Sequence, residues 1–131
     1  MKYAYTILYV ENVAETIEFY EKAFGFDRKF LTPENDYGEL ISGETTIAFA
    51  SIELGNSNFK SGFEKISKSK KPFGVELAFT TESIEKDFQN AINFGATEFE
   101  PITEKPWGQK VGYLIDNNGF LIEICTPMKT E

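Results

Sequence analysis

The feature that most constrains this chain is that it is written twice. Residues 3 to 10, YAYTILYV, alternate in the manner of a strand, and Asn12-Val13-Ala14-Glu15 follows as a capping residue with a carboxylate three places on. A helix is expected from there, with Val13, Ile17, Tyr20 and Phe24 on one face and Gly25 as its left-handed terminator. Three extended stretches come next: Phe26 to Leu31, Tyr37 to Ser42 and Thr45 to Ser51, separated by Pro33-Glu34-Asn35-Asp36 and by Gly43. The order then recurs. Val75 to Thr80 reads as a strand, Ser83 as a cap, and Ile84, Phe88, Ala91 and Ile92 as the inner face of a helix ended by Gly95. Strands follow near Glu98 to Thr103, Lys110 to Ile115 and Phe120 to Cys125, the last two joined by the turn Asp116-Asn117-Asn118-Gly119.

Matched positions keep nearly one offset: 71 for Val13 and Ile84, 70 for Gly25 and Gly95, 74 for Gly38 and Gly112, and 76 for Gly43 and Gly119. A repeat that preserves element order, terminators and spacing fixes the architecture before any single strand is assigned. The expectation is an α+β domain over 1–131, made of two tandem βαβββ units at 1–51 and 74–128. Residues 52–73 join them as a linker with at most a short helix around Phe63 to Ile66. Five of the 13 basic residues lie in that linker, Lys60, Lys65, Lys68, Lys70 and Lys71, and read as a solvated segment.

Composition then removes function classes. The chain has no histidine, so imidazole-based zinc, copper and iron sites, the Ser-His-Asp triad and the Cys-His dyad are excluded within it. Phosphate-cradling glycine loops are missing as well. A net charge of -8 repels nucleic-acid backbones and anionic lipid, and no apolar run approaches 18 residues. The expected partner is a small molecule, with no nucleic acid and no membrane, and the expected compartment is the cytoplasm. Cys125, a lone cysteine without a basic neighbour, reads as an inert buried thiol.

Strand alternation assigns faces. Leu8 and Val10 turn to the helix, leaving Tyr5, Ile7 and Tyr9 on the other face; Leu77 and Phe79 do likewise, leaving Glu76, Ala78 and Thr80. Leu121, Glu123 and Cys125 share that second face, and the offset of 76 maps Glu123 onto Ile47. Glu76 and Glu123 sit in otherwise apolar runs, which favours a ligand cavity over a merely solvated strand face. Phe49, Tyr113 and Tyr9 read as walls of that cavity. Trp107, in the turn Pro106-Trp107-Gly108, either lines a pocket mouth or plugs the end of a sheet.

The duplicated unit, with Leu8-Tyr9-Val10-Glu11-Asn12-Val13 leading into Phe19-Tyr20-Glu21-Lys22-Ala23-Phe24-Gly25-Phe26, and Pro106-Trp107-Gly108-Gln109 followed by Asp116-Asn117-Asn118-Gly119-Phe120-Leu121-Ile122-Glu123-Ile124, resembles the vicinal oxygen chelate superfamily. That group contains glyoxalase, bleomycin-resistance and extradiol dioxygenase proteins. The resemblance implies curled sheets around a cup, helices on the outer faces and a small ligand inside. It also implies four metal-ligand positions, which fall here on Tyr5, Ile47, Glu76 and Glu123. Two carboxylates, a tyrosine and an isoleucine do not supply the three protein ligands that a catalytic divalent ion requires. The expected function is therefore metal-free binding of a hydrophobic, aromatic or cationic small molecule, without a cofactor, through Tyr5, Tyr9, Phe49, Glu76, Trp107, Tyr113 and Glu123. The alternatives are a Mg²⁺- or Mn²⁺-dependent isomerase, lyase or dioxygenase, with Glu76, Glu123 and Tyr5 as candidate catalytic groups, and a non-catalytic interaction module. Open sheet edges suggest a homodimer.

Overall fold

A computed structural model of the chain describes residues 1–128. It holds two compact units, residues 1–66 and the remainder from Ser67 onward. The first contains β1 (Thr6–Val10), α1 (Val13–Phe24), β2 (Asp27–Leu31), β3 (Tyr37–Ser42), β4 (Thr45–Ser51) and α2 (Ile52–Asn58). The second contains β5 (Glu76–Thr80), α3 (Ile84–Asn93), β6 (Thr97–Glu104), β7 (Lys110–Ile115) and β8 (Leu121–Cys125). The architecture is α+β with the βαβββ order in each unit. No described helix is long and apolar enough to cross a membrane.

Each unit builds one open four-stranded sheet, ordered β1-β4-β3-β2 in the first and β5-β8-β7-β6 in the second. The outer pairs β1–β4 and β5–β8 are parallel and the remaining pairs antiparallel. A parallel pair needs a crossover, and α1 and α3 begin directly after the two strands that need one.

The helix that packs on the first sheet starts where the sequence predicts. The Asn12 side chain accepts from the Glu15 N–H, and Gly25, at φ 74, closes α1 in the left-handed region. Leu8, Val10, Leu40, Ile47 and Phe49 form the sheet side of this core, with Val13, Ile17, Tyr20 and Ala23 opposite, and the Tyr20 and Phe49 rings lie 4.9 Å apart. Gly38 brings β3 close to α1, since an added Cβ would meet Ile17 Cδ1 at 3.3 Å. Its repeat partner Gly112 does the same more tightly, where a Cβ would fall 2.7 Å from the Phe88 ring of α3.

Two local expectations are corrected. The segment after β4 is a helix over 52–58 and not a plain linker, because Ser51 Oγ accepts from the Leu54 N–H and caps it. The stretch 63–66 is not helical. Ser83 stands at the start of α3 without a side-chain cap bond; Thr81 Oγ1 accepts from the Ser83 N–H instead.

The two sheets differ in one turn. Ile41 pairs with Thr46 across β3–β4, whereas Ile115 pairs with Leu121 across β7–β8, one residue further apart. The longer turn is organised by Asp116, fully buried, whose Oδ1 accepts from the N–H groups of Asn118, Gly119 and Phe120 at 2.8 Å each.

Candidate functional site

That extra turn residue changes which side chains share a face. Strand register pairs Ile7 with Ala48 in the first sheet and Ala78 with Glu123 in the second. Glu123 therefore corresponds to Ala48, an offset of 75, and not to Ile47. A slip of one residue in a strand reverses the face of every side chain. Ile47 and Phe49 accordingly lie on the helix side with their partners Thr6 and Leu8, and Phe49 is fully buried against Tyr20. Phe49 is thus a core residue of the first unit and not a wall of the open face.

The open face of the second sheet collects the expected carboxylates. Glu76 on β5 and Glu123 on β8 sit diagonally across the parallel pair, and Tyr113 on β7 stands directly opposite Glu123. The Tyr113 hydroxyl donates to Glu123 Oε1 at 3.1 Å. Desolvation, and then hydrogen bonding to the Glu123 carboxylate beside it, hold the Glu76 carboxyl above the usual carboxylate range. The same neighbourhood raises the Tyr113 phenol, first by burial and then through Glu123. Cys125 lies on this face too, where burial followed by Glu123 pushes its thiol up to about 11. It is a neutral thiol at physiological pH, with none of the cationic surroundings that activate a nucleophile.

The open face of the first sheet carries Tyr5 and Tyr9, and a group the sequence reading did not single out. Glu39 on β3, only 8% exposed, accepts from the Tyr37 hydroxyl at 2.6 Å and pairs with Lys29 at 3.4 Å. It stands opposite Ala48. Burial, then Glu39, raises the Tyr37 phenol strongly, and Tyr5 adds to the effect. The signal that points to Glu39 is a carboxylate inside the alternating run Tyr37-Gly38-Glu39-Leu40-Ile41, the same pattern that marks Glu76. Tyr9 is packed by its own unit: its ring lies 5.8 Å from Phe59 and 5.1 Å from Phe63, and Gly55 of α2 lets that cover close over it. Tyr5 is 46% exposed.

Trp107 is not part of the carboxylate cluster. It lies at the end of the second sheet, 61% exposed, which rules out the plug. There it lines a cleft with the start of α3 and the chain leaving β8, including Glu82, Ile84, Lys110 and Met128.

On neither open face do the described residues supply the three side-chain ligands that a catalytic divalent ion requires. The first-sheet position that should carry a ligand holds Ala48, with Ile47 turned away from the open face. Glu39 beside it is already engaged by a phenol and an ammonium. Among the described residues, no three Asp, Glu, Cys or His side chains converge as a donor set.

Two βαβββ units, each with one open four-stranded sheet, are the architecture of the glyoxalase-like class. A model of the glyoxalase-like domain family matches residues 3–129, and the chain belongs to that family. It is 28% identical over 130 residues to the uncharacterized protein YraH of Bacillus subtilis, spanning 95% of this chain and 97% of YraH. Among solved structures it resembles the hypothetical protein SA1046 from S. aureus, with a TM-score of 0.80 at 15% identity over 97% of this chain and 94% of that one. A glyoxalase-related enzyme from Fulvimarina pelagi gives a TM-score of 0.79, also at 15% identity, over 97% and 89% of the two chains.

Proposed function

We propose that this glyoxalase-like protein is a metal-free binder of a small organic molecule that carries a cationic or hydrogen-bond-donating head. The observation that carries the reading is the Glu76–Glu123–Tyr113 cluster on the open face of the second sheet. The Glu123 carboxylate disfavours the charged form of Glu76, and a bound cation relieves that repulsion. The chain offers neither a histidine base nor an activated thiol, and the donor set lacks a third metal ligand, so binding rather than bond-making is what these groups support. In the same reading the protein acts as a homodimer in the cytoplasm.

A thermal-shift screen over cationic aromatics, antibiotics, small 2-oxo acids, Mg²⁺ and Mn²⁺ tests this. The expected result is stabilisation by an organic cation that Glu76→Gln weakens, with no comparable effect of either metal. Stabilisation by Mn²⁺ or Mg²⁺ alone, together with metal-dependent turnover, would overturn it in favour of the isomerase, lyase or dioxygenase alternative. The absence of any response would favour an interaction module.

A further inference from the structure

The cleft at Trp107 shares no lining residue with the carboxylate cluster. Its volume is about 260 Å³, just below the usual range for ligand sites, which suits a single small ring or a short branched ammonium. Ile84, Pro127 and Met128 contribute apolar surface, and Trp107 contributes an indole.

Trp107 is unusual for so exposed a ring because polar bonds fix it. Its Nε1–H donates to Gln109 Oε1 at 2.8 Å, and Gln109 Nε2 in turn donates to the Thr126 carbonyl at 2.8 Å. Both ends of the glutamine amide are thereby used, so the indole is tied to the backbone leaving β8. A ring whose N–H is satisfied and whose orientation is set presents its π face, the part that attracts cations.

The charges around the ring select the ligand further. Lys110 and Glu85 pair at 3.0 Å and neutralise one another. Glu82, exposed and lining the same cleft, has no side-chain partner among the described residues, so the described lining residues carry one net negative charge. An aromatic face beside one uncompensated carboxylate is complementary to a single positive charge on an organic body, and a phosphate or carboxylate ligand would meet repulsion there.

We propose that this cleft is a second binding site, independent of the carboxylate pair, for a small organic monocation held between the Trp107 indole and Glu82. The chain contains one tryptophan, so its emission comes from this cleft. The test is a fluorescence titration with choline and with its uncharged isostere 3,3-dimethylbutan-1-ol. The expected result is a saturable change with choline and binding about tenfold weaker for the alcohol. Glu82→Gln should raise the choline Kd by about fivefold, the value of an exposed ion pair. Glu76→Gln should leave the titration unchanged, so failure here is visible separately from failure of the open-face site. Absence of saturation, equal affinity for the alcohol, indifference to Glu82→Gln or loss of binding in Glu76→Gln would each overturn the proposal.

Discussion

Glu76 illustrates how little of a side chain's behaviour follows from its identity alone. Its folded pKa is raised, so the fold favours the protonated form. For a group shifted in this direction, the stabilising contribution is present below the unfolded pKa and is lost as pH rises through the folded value. Glu76→Gln should therefore raise the melting temperature at pH 7, and the gain should vanish below about pH 4, where the native carboxyl is protonated in both states. Melting curves across that range check it; a gain that persists at low pH would mean the pair carries no shared-charge penalty. Cys125 supplies a second expectation. With its thiol pushed up to about 11 and its side chain buried, it should react with a disulfide reagent at pH 8 only after denaturant is added. Reaction in the native protein, followed by absorbance, would contradict that. The faces of Glu76, Glu123 and Tyr113 are legible from the apolar alternation within their own strands, which needs no count across a turn. Those of Ile47 and Phe49 are not, because a single inserted turn residue, read through the paired glycines Gly43 and Gly119, shifts the offset by one and reverses the face.

At the level of elements, the two units obey the same packing rule with different tolerances. Gly112 touches the Phe88 ring and Ile102 closely enough that a methyl group has no room, at 2.7 and 2.9 Å. Gly38 has 3.2 Å or more to each neighbour. Gly112→Ala should thus destabilise by about 1–3 kcal/mol and Gly38→Ala by less, as measured by urea unfolding. Equal costs would contradict the difference in helix approach. The caps give a parallel contrast: Asn12→Ala should cost about 1 kcal/mol, whereas Ser83→Ala should be near neutral because Ser83 makes no side-chain cap bond. Both helices and all eight strands were foreseeable from periodicity and glycine punctuation. The helix at 52–58 was hidden because ELGNSN has poor intrinsic helix propensity, and it forms through the Ser51 cap and the burial of Ile52 and Gly55. Glu39 carries the same in-strand carboxylate signal as Glu76, but its pairing with Lys29 on the neighbouring strand is invisible to a linear reading.

For the whole molecule, the outermost strands of each sheet carry exposed apolar side chains, among them Ile7 on β1, Phe30 on β2 and Phe99 on β6. Such edges invite a partner, and sedimentation should give twice the 14.9 kDa of one chain. A single-chain mass at high concentration would refute the dimer while leaving the fold untouched. Repeat and fold were read from the sequence because they depend on patterns spread over the full chain, whereas the ligand depends on a few side chains whose grouping only the sheet registers reveal. In the proposed reading the carboxylate face binds an organic ligand without a metal. Its most direct test is calorimetric titration of the most stabilising ligand from the screen, with EDTA, with Mn²⁺ and with neither. One affinity in all three conditions, weakened in Glu76→Gln, is the expected result; binding abolished by EDTA and restored by Mn²⁺ would contradict metal-free binding.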